Sequence, residues 1–454
     1  MGITRDLASY LADVRFETLP EQVRAKACLA LLDTLGAAYA GAAYSSSPRM
    51  VRDMVRGLGA GGSATVIGFG DQVQVPWAAL CNAVSAHALD IDDSHRYATG
   101  YHPGATVVPA CLAVAESQGS SVRQLLEAMA AGYEAGGRIG RAINPSHRYR
   151  GFHSTGTVGV FGAAVGAGKL LGFGPDRMEW VLGVAGAMAG GVFQFLSGLA
   201  PTKHLHAGHA AHAGVMAALL VQEGYTGPEE FLEGENGFCK AYSDEYRLDE
   251  IVAGLGERWE LDVTYFKLHA ACGHAFGAIE AALDLRARGL RLGEVERLEV
   301  RTYRAGAVLR DRHPTTFQQG EFSIPFLVSL ALVRGEVSIE SILAGLKDRT
   351  VMELAVRTEC AEDAEMTASF PRIRPARVTA WLKDGSTAES RVEIPAGMPD
   401  RPLRAEDITT KFRNLTGPLI GEEGAHVIET AVMTGEGSIR DLVGWPLQMR
   451  REIL

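Results

Sequence analysis

Between about residues 20 and 290 the chain consists of segments whose apolar residues recur at helical spacing, with glycine and alanine filling many of the remaining positions. Small residues let helix axes approach closely, so the pattern requires a core of thin helices packed on one another rather than one built from large aromatic side chains. Composition agrees: 53 of 454 residues are glycine, about 12% against a usual ~7%, and aromatics make up only 7%. Residues 21–40 place Val23, Ala27, Leu31 and Leu35 on one face, with Gly41 as the expected stop. Residues 122–136 put Leu125, Met129 and Tyr133 on one face, and residues 207–223 run to Gly224. Residues 157–171 and 180–196 are apolar nearly all round, as central helices would be. The uncharged run 180–200 has the length of a bilayer span. Its five glycines, a Gln and few large aliphatics instead predict a buried helix, with no membrane partner.

After about residue 290 the pattern changes. Leu298, Val300 and Thr302 alternate with charged residues, as in a half-exposed strand. Residues 377–382, the turn Asp384-Gly385 and residues 390–394 predict a β-hairpin. Residues 322–333 and 349–358 read as helix, 395–402 as a linker, and 405–415 and 422–433 as a return to helix. The expected fold is mainly α: a large all-α helical domain, discontinuous in sequence over 1–264 and 398–454, with a smaller α+β domain over 265–397.

Charge and cysteine usage narrow the function. The 44 basic and 54 acidic residues give a net charge of −10, which disfavours a nucleic-acid partner because phosphate neutralisation needs clustered Lys and Arg. The six cysteines (Cys28, Cys81, Cys111, Cys239, Cys272, Cys360) form no C-x-x-C pair. Neither a disulfide framework nor an iron–sulfur cluster is expected, and a reducing, cytoplasmic location is. The stretch from Met1 to Asp6 has no apolar core of a signal peptide. No G-x-S-x-G, P-loop or Rossmann fingerprint occurs.

Eleven of the 13 histidines lie between His87 and His274. Four histidine-bearing loops are read as feeding the starts of small-residue helices: His102-Pro103-Gly104, His153-Ser154-Thr155, Lys203-His204-Leu205-His206, and Lys267-Leu268-His269 with Cys272-Gly273-His274. Ser154 or Thr155 is the expected N-cap of the second. Helix N-termini carrying His and Lys suit a carboxylate or phosphate; the alternative is ordinary loop polars at unrelated ends of the molecule. The acidic run Asp90-Ile91-Asp92-Asp93-Ser94-His95 reads either as a solvated loop or as a base and orienter of His102. His204, His206, His209 and His212 have the spacing of metal ligands, but His209 and His212 continue into Met216 and Leu219, the inner face of one helix, and no metal is expected. Cys272 beside His274 is a candidate nucleophile on spacing alone.

The run from His87 to His95, followed by His102-Pro103-Gly104 and Val108-Pro109-Ala110, resembles the MmgE/PrpD family. Phe152 to Thr155, Thr202 to Gly208, Lys267 to His274, Phe322-Ser323-Ile324-Pro325 and Lys411 to Leu415 fit the same family in order, so the resemblance covers nearly the whole chain. The family includes 2-methylcitrate dehydratase, cis-aconitate decarboxylase and iminodisuccinate epimerase. The resemblance implies a helical domain with an α+β lid, a homodimer, and catalysis on a small polycarboxylate without metal or organic cofactor.

It also implies a site made of Asp90, Ser94, His102, His153, Lys203 and Lys267. In that reading His102 is the principal acid–base group oriented by Asp90, His153 is the partner acid, and Lys203 and Lys267 clamp carboxylates. Ser94 completes the substrate-binding set so implied; His269 and His274 join it as further acid–base groups that the family pattern does not explain. A histidine can exchange a proton at the carbon α to a carboxylate, while lysines and helix dipoles hold the charge that builds there. Ser94 stands where the decarboxylase has Thr, residues 96–101 differ from its loop, and Phe326 replaces a contributing Tyr. The motif from Lys267 to Cys272 is not the dehydratase's. The leading expectation is therefore a cofactor-independent hydro-lyase of a small di- or tricarboxylate. An epimerase or racemase, or a decarboxylase, is the runner-up. A non-catalytic carboxylate-binding protein and a metal-dependent hydrolase using His204, His206, His209 and His212 stand behind these.

Overall fold

A computed structural model describes residues 2–59, 61–197 and 200–448. The chain divides into two compact units: one takes residues up to Ala88, Asp92–Phe266 and those from Arg404 on; the other takes Leu89–Ile91 and Lys267–Leu403. The first is a stack of helices and the second holds a four-stranded sheet with its own helices, so the fold is mainly α with a smaller sheet-containing part.

In the first unit the Glu21–Tyr44 helix packs on Val75–His87 and on Ala405–Thr434. Thr202–Gln222 lies against Val75–His87 and Gly159–Leu170, and Val122–Ile143 lies against Gly159–Leu170. The small residues make this possible. A Cβ on Gly132 would sit 2.6 Å from the Gly162 carbonyl oxygen, and one on Gly162 would sit 2.8 Å from the Gly132 carbonyl oxygen. Gly41 backs onto the Ser85 carbonyl in the same manner. The helix expected to stop at Gly41 therefore runs on to Tyr44, because this glycine serves close packing rather than termination.

Other boundaries differ for local reasons. The expected helix 180–196 ends at Gly186, and Gly190 and Gly191 (φ 137°) lead through a loop into a short 3-10 turn, Phe193–Ser197. The closely spaced glycines, each costing a helix about 1 kcal/mol relative to alanine, break the helix here. Gly198 and Leu199, in the same expected run, lie outside the described residues. Among the described residues one helix, Glu21–Tyr44, is long and apolar enough to cross a membrane, and its apolar stretch is entirely buried. The return at 405–433 is two helical pieces joined at Gly421 (φ 82°), with Pro418 just before the kink.

The sheet of the second unit places Thr358–Glu362 parallel to Val295–Thr302, which pairs antiparallel with Ala376–Leu382, which in turn pairs with Thr387–Val392. Leu298 opposes Ala380 and Val300 opposes Val378, and all four are buried. The hairpin turns at Gly385 (φ 86°), and the Asp384 carboxylate accepts the Ser386 backbone N–H at 2.9 Å. Residue 358, read from sequence as the end of a helix, starts the parallel strand instead; the helix is Arg349–Val356. A parallel neighbour needs a long crossover, and the periodicity of a five-residue edge strand is too short to reveal one.

The glycine packing predicts a contrast between two equivalent substitutions. Gly132→Ala is expected to cost about 1–3 kcal/mol through overpacking, whereas Gly57→Ala, whose Cβ enters open space at a helix end, is expected to be neutral or stabilising by up to ~1 kcal/mol. Urea or thermal unfolding of the two variants checks this.

Candidate active site

The Val75–His87 helix ends on His87, and the following turn brings Asp92 back beneath it. His87 Nδ1 lies 2.9 Å from Asp92 Oδ2, with both side chains fully buried. His102, the residue preceding the Pro103–Gln118 helix, brings its Nδ1 to 3.1 Å from the same oxygen. The two imidazoles meet edge to face with centroids 4.6 Å apart. A carboxylate accepts only from a protonated nitrogen, so His87 carries its hydrogen on Nδ1 and a lone pair on Nε2. That Nε2 is buried without a hydrogen-bond partner. Burial works to raise the Asp92 carboxyl, and the two imidazoles overcome it, holding the group well below the usual carboxylate range. Burial and then the Lys203 charge push His87 down to about 3. At neutral pH the arrangement is an ionised carboxylate carrying an uncharged imidazole.

The loop carrying His102 is tied to the helical turn Ser154–Thr157. The His102 N–H donates to Thr155 Oγ1 at 3.2 Å, Thr155 Oγ1 donates to the Gly100 carbonyl at 2.8 Å, and Ser154 Oγ donates to the Thr99 carbonyl at 2.9 Å. Ser154 and Thr155 thus dock a loop rather than cap a helix, and His153 occupies the cap position. His153 is buried, stacks on His87 with centroids 6.1 Å apart, and is walled by Phe193 at 4.7 Å and Phe195 at 5.2 Å. Its Nδ1 meets His206 Nδ1 at 2.9 Å. Burial, His206, His87, His102 and Lys203 all hold the His153 ring well below its ordinary value. Lys203 is buried in the first turn of Thr202–Gln222 rather than in a loop before it.

Asp93 has the opposite character to its neighbour. Its Oδ1 accepts the Gly104 N–H at 2.8 Å, at the start of the helix that follows His102, and its Oδ2 accepts from Tyr133 Oη at 2.7 Å. Burial pushes its carboxyl up to about 8, with Asp33 and Asp92 adding to the shift. Ser94 is buried in a two-residue ladder with Tyr265, its hydroxyl 3.3 Å from the Tyr101 carbonyl.

In the second unit, Lys267 Nζ donates to both the carboxylate and the carbonyl of Asp90, each at 2.8 Å, and Asp90 adopts a left-handed backbone (φ 51°). His269 sits edge to face with Phe276 at 5.5 Å, and burial lowers it to about 4. His274 Nδ1 meets Tyr303 Oη at 2.7 Å, and Tyr303 stacks on Phe370. Cys272 is half-buried and donates its backbone N–H to the Glu321 carbonyl at 2.9 Å.

Of the expected residues, His102 lies against a carboxylate in the first unit, with His153 and Lys203 within electrostatic reach of the neighbouring His87. That carboxylate is Asp92, while the Asp90 carboxylate accepts from Lys267. Sequence reasoning missed His87 and Asp92 as site residues, although both lie inside the motif it singled out. The metal spacing of the Thr202–Gln222 helix does not produce a common point. His204 meets Ser47 at 2.8 Å, His206 meets His153, His209 meets the Met188 carbonyl at 2.9 Å and His212 packs on Trp77.

Two family profiles match the chain, the MmgE/PrpD N-terminal domain over residues 5–251 and the MmgE/PrpD C-terminal domain over residues 269–435. The chain belongs to the MmgE/PrpD family. Among its relatives, a cis-aconitate decarboxylase of Aspergillus terreus is 28% identical over 458 residues, covering 95% of this chain and 93% of that protein. The cis-aconitate decarboxylase of Homo sapiens is 28% identical over 428 residues, covering 91% and 87%. A 2-methylcitrate dehydratase-like protein of Aspergillus oryzae is 27% identical over 334 residues, covering 68% and 65%.

The shifted Asp93 carboxyl predicts a pH dependence of stability. The folded state keeps a proton up to about pH 8 that the unfolded chain releases near 3.8, so this group's contribution falls as pH rises through that window. Asp93→Asn retains an acceptor for Gly104 and a donor for Tyr133. Its thermal midpoint is expected to decline less than the wild type's between about pH 6 and pH 8, as differential scanning calorimetry would measure.

Proposed function

We propose that this MmgE/PrpD protein is a lyase of small di- or tricarboxylates that works by proton transfer at a carbon α to a carboxylate. The observation that carries the reading is the buried Asp92 carboxylate with His87 and His102 on one oxygen, set within the electrostatic reach of His153 and Lys203. Lys203 attracts a carboxylate of the substrate. The bound negative charge then offsets the lysine that depresses His87 and His153, raising both rings toward a working range. Lys203 also stabilises the charge that accumulates on the carboxylate as the α-carbon becomes carbanionic. Ser94 and Lys267 keep the substrate-binding roles that the resemblance implies, and His269 and His274 keep those read from sequence beside it. The reaction so written uses only acid–base groups of the chain.

A carbanionic centre stabilised by the same groups serves three outcomes. Formed by removal of the α-proton, it loses a β-hydroxyl in dehydration or is reprotonated from the other face in epimerisation; formed by departure of CO₂, which leaves its bonding pair on carbon, it is protonated by the acid in decarboxylation. The end-to-end similarity to cis-aconitate decarboxylases favours the last over the hydro-lyase expected from sequence. The Phe326 argument against it loses weight, because this side chain is fully buried and packs on Gly320 and Gly345 in the core of the second unit.

Proton NMR of a panel of di- and tricarboxylates in D₂O tests the reading. The expected result is loss of CO₂ from an unsaturated tricarboxylate with one deuterium retained on carbon. Alkene formation with loss of water marks a hydro-lyase, and exchange at Cα with no lost group marks an epimerase. Binding without any of these identifies a carboxylate-binding protein and overturns the proposal. Asp92→Asn and His102→Ala are each expected to lower kcat by about 10²–10⁴-fold, while substrate binding, measured calorimetrically, persists.

A further inference from the structure

We propose that His206 is a proton relay connecting the buried His153 to solvent; this rests on the reading of His153 as an acid of the reaction. A decarboxylase replaces CO₂ by a proton at every turnover, so its acid has to be recharged from water each time. His153 is 1% exposed and enclosed by Phe193, Phe195 and His87, which leaves its recharging to a neighbour.

The geometry supplies one. With the two Nδ1 atoms 2.9 Å apart, one ring donates and the other accepts, so the pair shares a single proton along that line. His206 is half-buried and lines a pocket of about 440 Å³ with Trp77, Gly191, Val192, Leu205 and His209. Val192 and Leu205 are 50% and 47% exposed, so the pocket reaches the surface. Gly191 seats both rings. Its carbonyl accepts the His153 N–H at 3.1 Å, and a Cβ there would come within 3.2 Å of the His206 ring. Burial lowers both imidazoles, His206 to about 4, and the neighbours of His153 add to its lowering. Neither ring therefore stores charge, and the proton passes through.

The transfer balances as follows. His153 gives its Nε2 proton to the substrate carbon. Its Nδ1 takes the Nδ1 proton of His206, and His206 Nε2 takes a proton from pocket water, so one proton enters and one is consumed. Both rings end in the alternative tautomer, which ring rotation or a second exchange with water resets.

Chemical rescue tests the relay, because His206→Ala leaves a space that the pocket connects to solvent. Turnover of the His206→Ala variant is expected to fall at least 10-fold and to recover saturably with added imidazole. 1-Methylimidazole, whose single exchangeable nitrogen cannot accept a proton on one side while passing another on, is expected to rescue it less well. His206→Gln, which keeps a hydrogen bond to His153 but cannot relay, is expected to stay slow. Wild-type turnover in His206→Gln, or slow His206→Ala indifferent to imidazole, overturns the relay and leaves the lyase reading standing. Should the wild type turn over no carboxylate, ¹⁵N-histidine NMR still decides: a coupling between the two Nδ1 nuclei, lost in His206→Gln, supports the shared proton, and its absence in the wild type overturns it.

Discussion

A fully buried carboxylate needs compensation, and Asp92 obtains it from two imidazoles on one oxygen. An isolated ionised carboxylate in such a place is strongly unfavourable, so much of the surrounding architecture serves this one charge. The Val75–His87 helix delivers His87 at its last residue, and the loop pinned by Ser154 and Thr155 delivers His102. Removing either imidazole leaves a buried charge with half its support. The pairing also fixes chemistry, because a hydrogen directed at Asp92 leaves the far nitrogen of His87 as a lone pair.

The neighbouring carboxyl shows the reverse solution. Asp93, equally buried, faces a neutral hydroxyl and a backbone amide rather than imidazoles, and is held near its protonated form. Two consecutive aspartates thus take opposite protonation states because their side chains enter different surroundings. Asp93 binds the start of the Pro103–Gln118 helix, so the neutral member of the pair has a structural task and the ionised member an electrostatic one.

The helical part was readable from sequence to the extent that its physics is local. The spacing of Val23, Ala27, Leu31 and Leu35 predicts a helix that exists, and the Asp384-Gly385 turn predicts a hairpin that exists. Glycine was harder to read because it serves several purposes. Gly41 admits a neighbouring carbonyl and the helix continues, Gly186 closes a helix, and Gly421 marks a kink. Those uses have one sequence signature and differ only in what lies opposite. The strand at Thr358–Glu362 was hidden for a related reason, since its pairing with residues 298–302 lies far away along the chain.

The sequence by itself determined the helical class, the strand-bearing segment after residue 290 and, through ordered motifs, the MmgE/PrpD family. It also marked His102, His153 and Lys203. Only the tertiary structure showed that Asp92 meets both His87 and His102 on one oxygen, because the order of residues in the motif does not give those distances. Asp90, with its left-handed backbone, accepts from Lys267. The same holds for His206: its spacing suggested a metal ligand, and only the approach of His153 gave it a partner for a proton. Periodicity and motif order are properties of the chain, whereas the sharing of a charge or a proton depends on distances that arise only on folding.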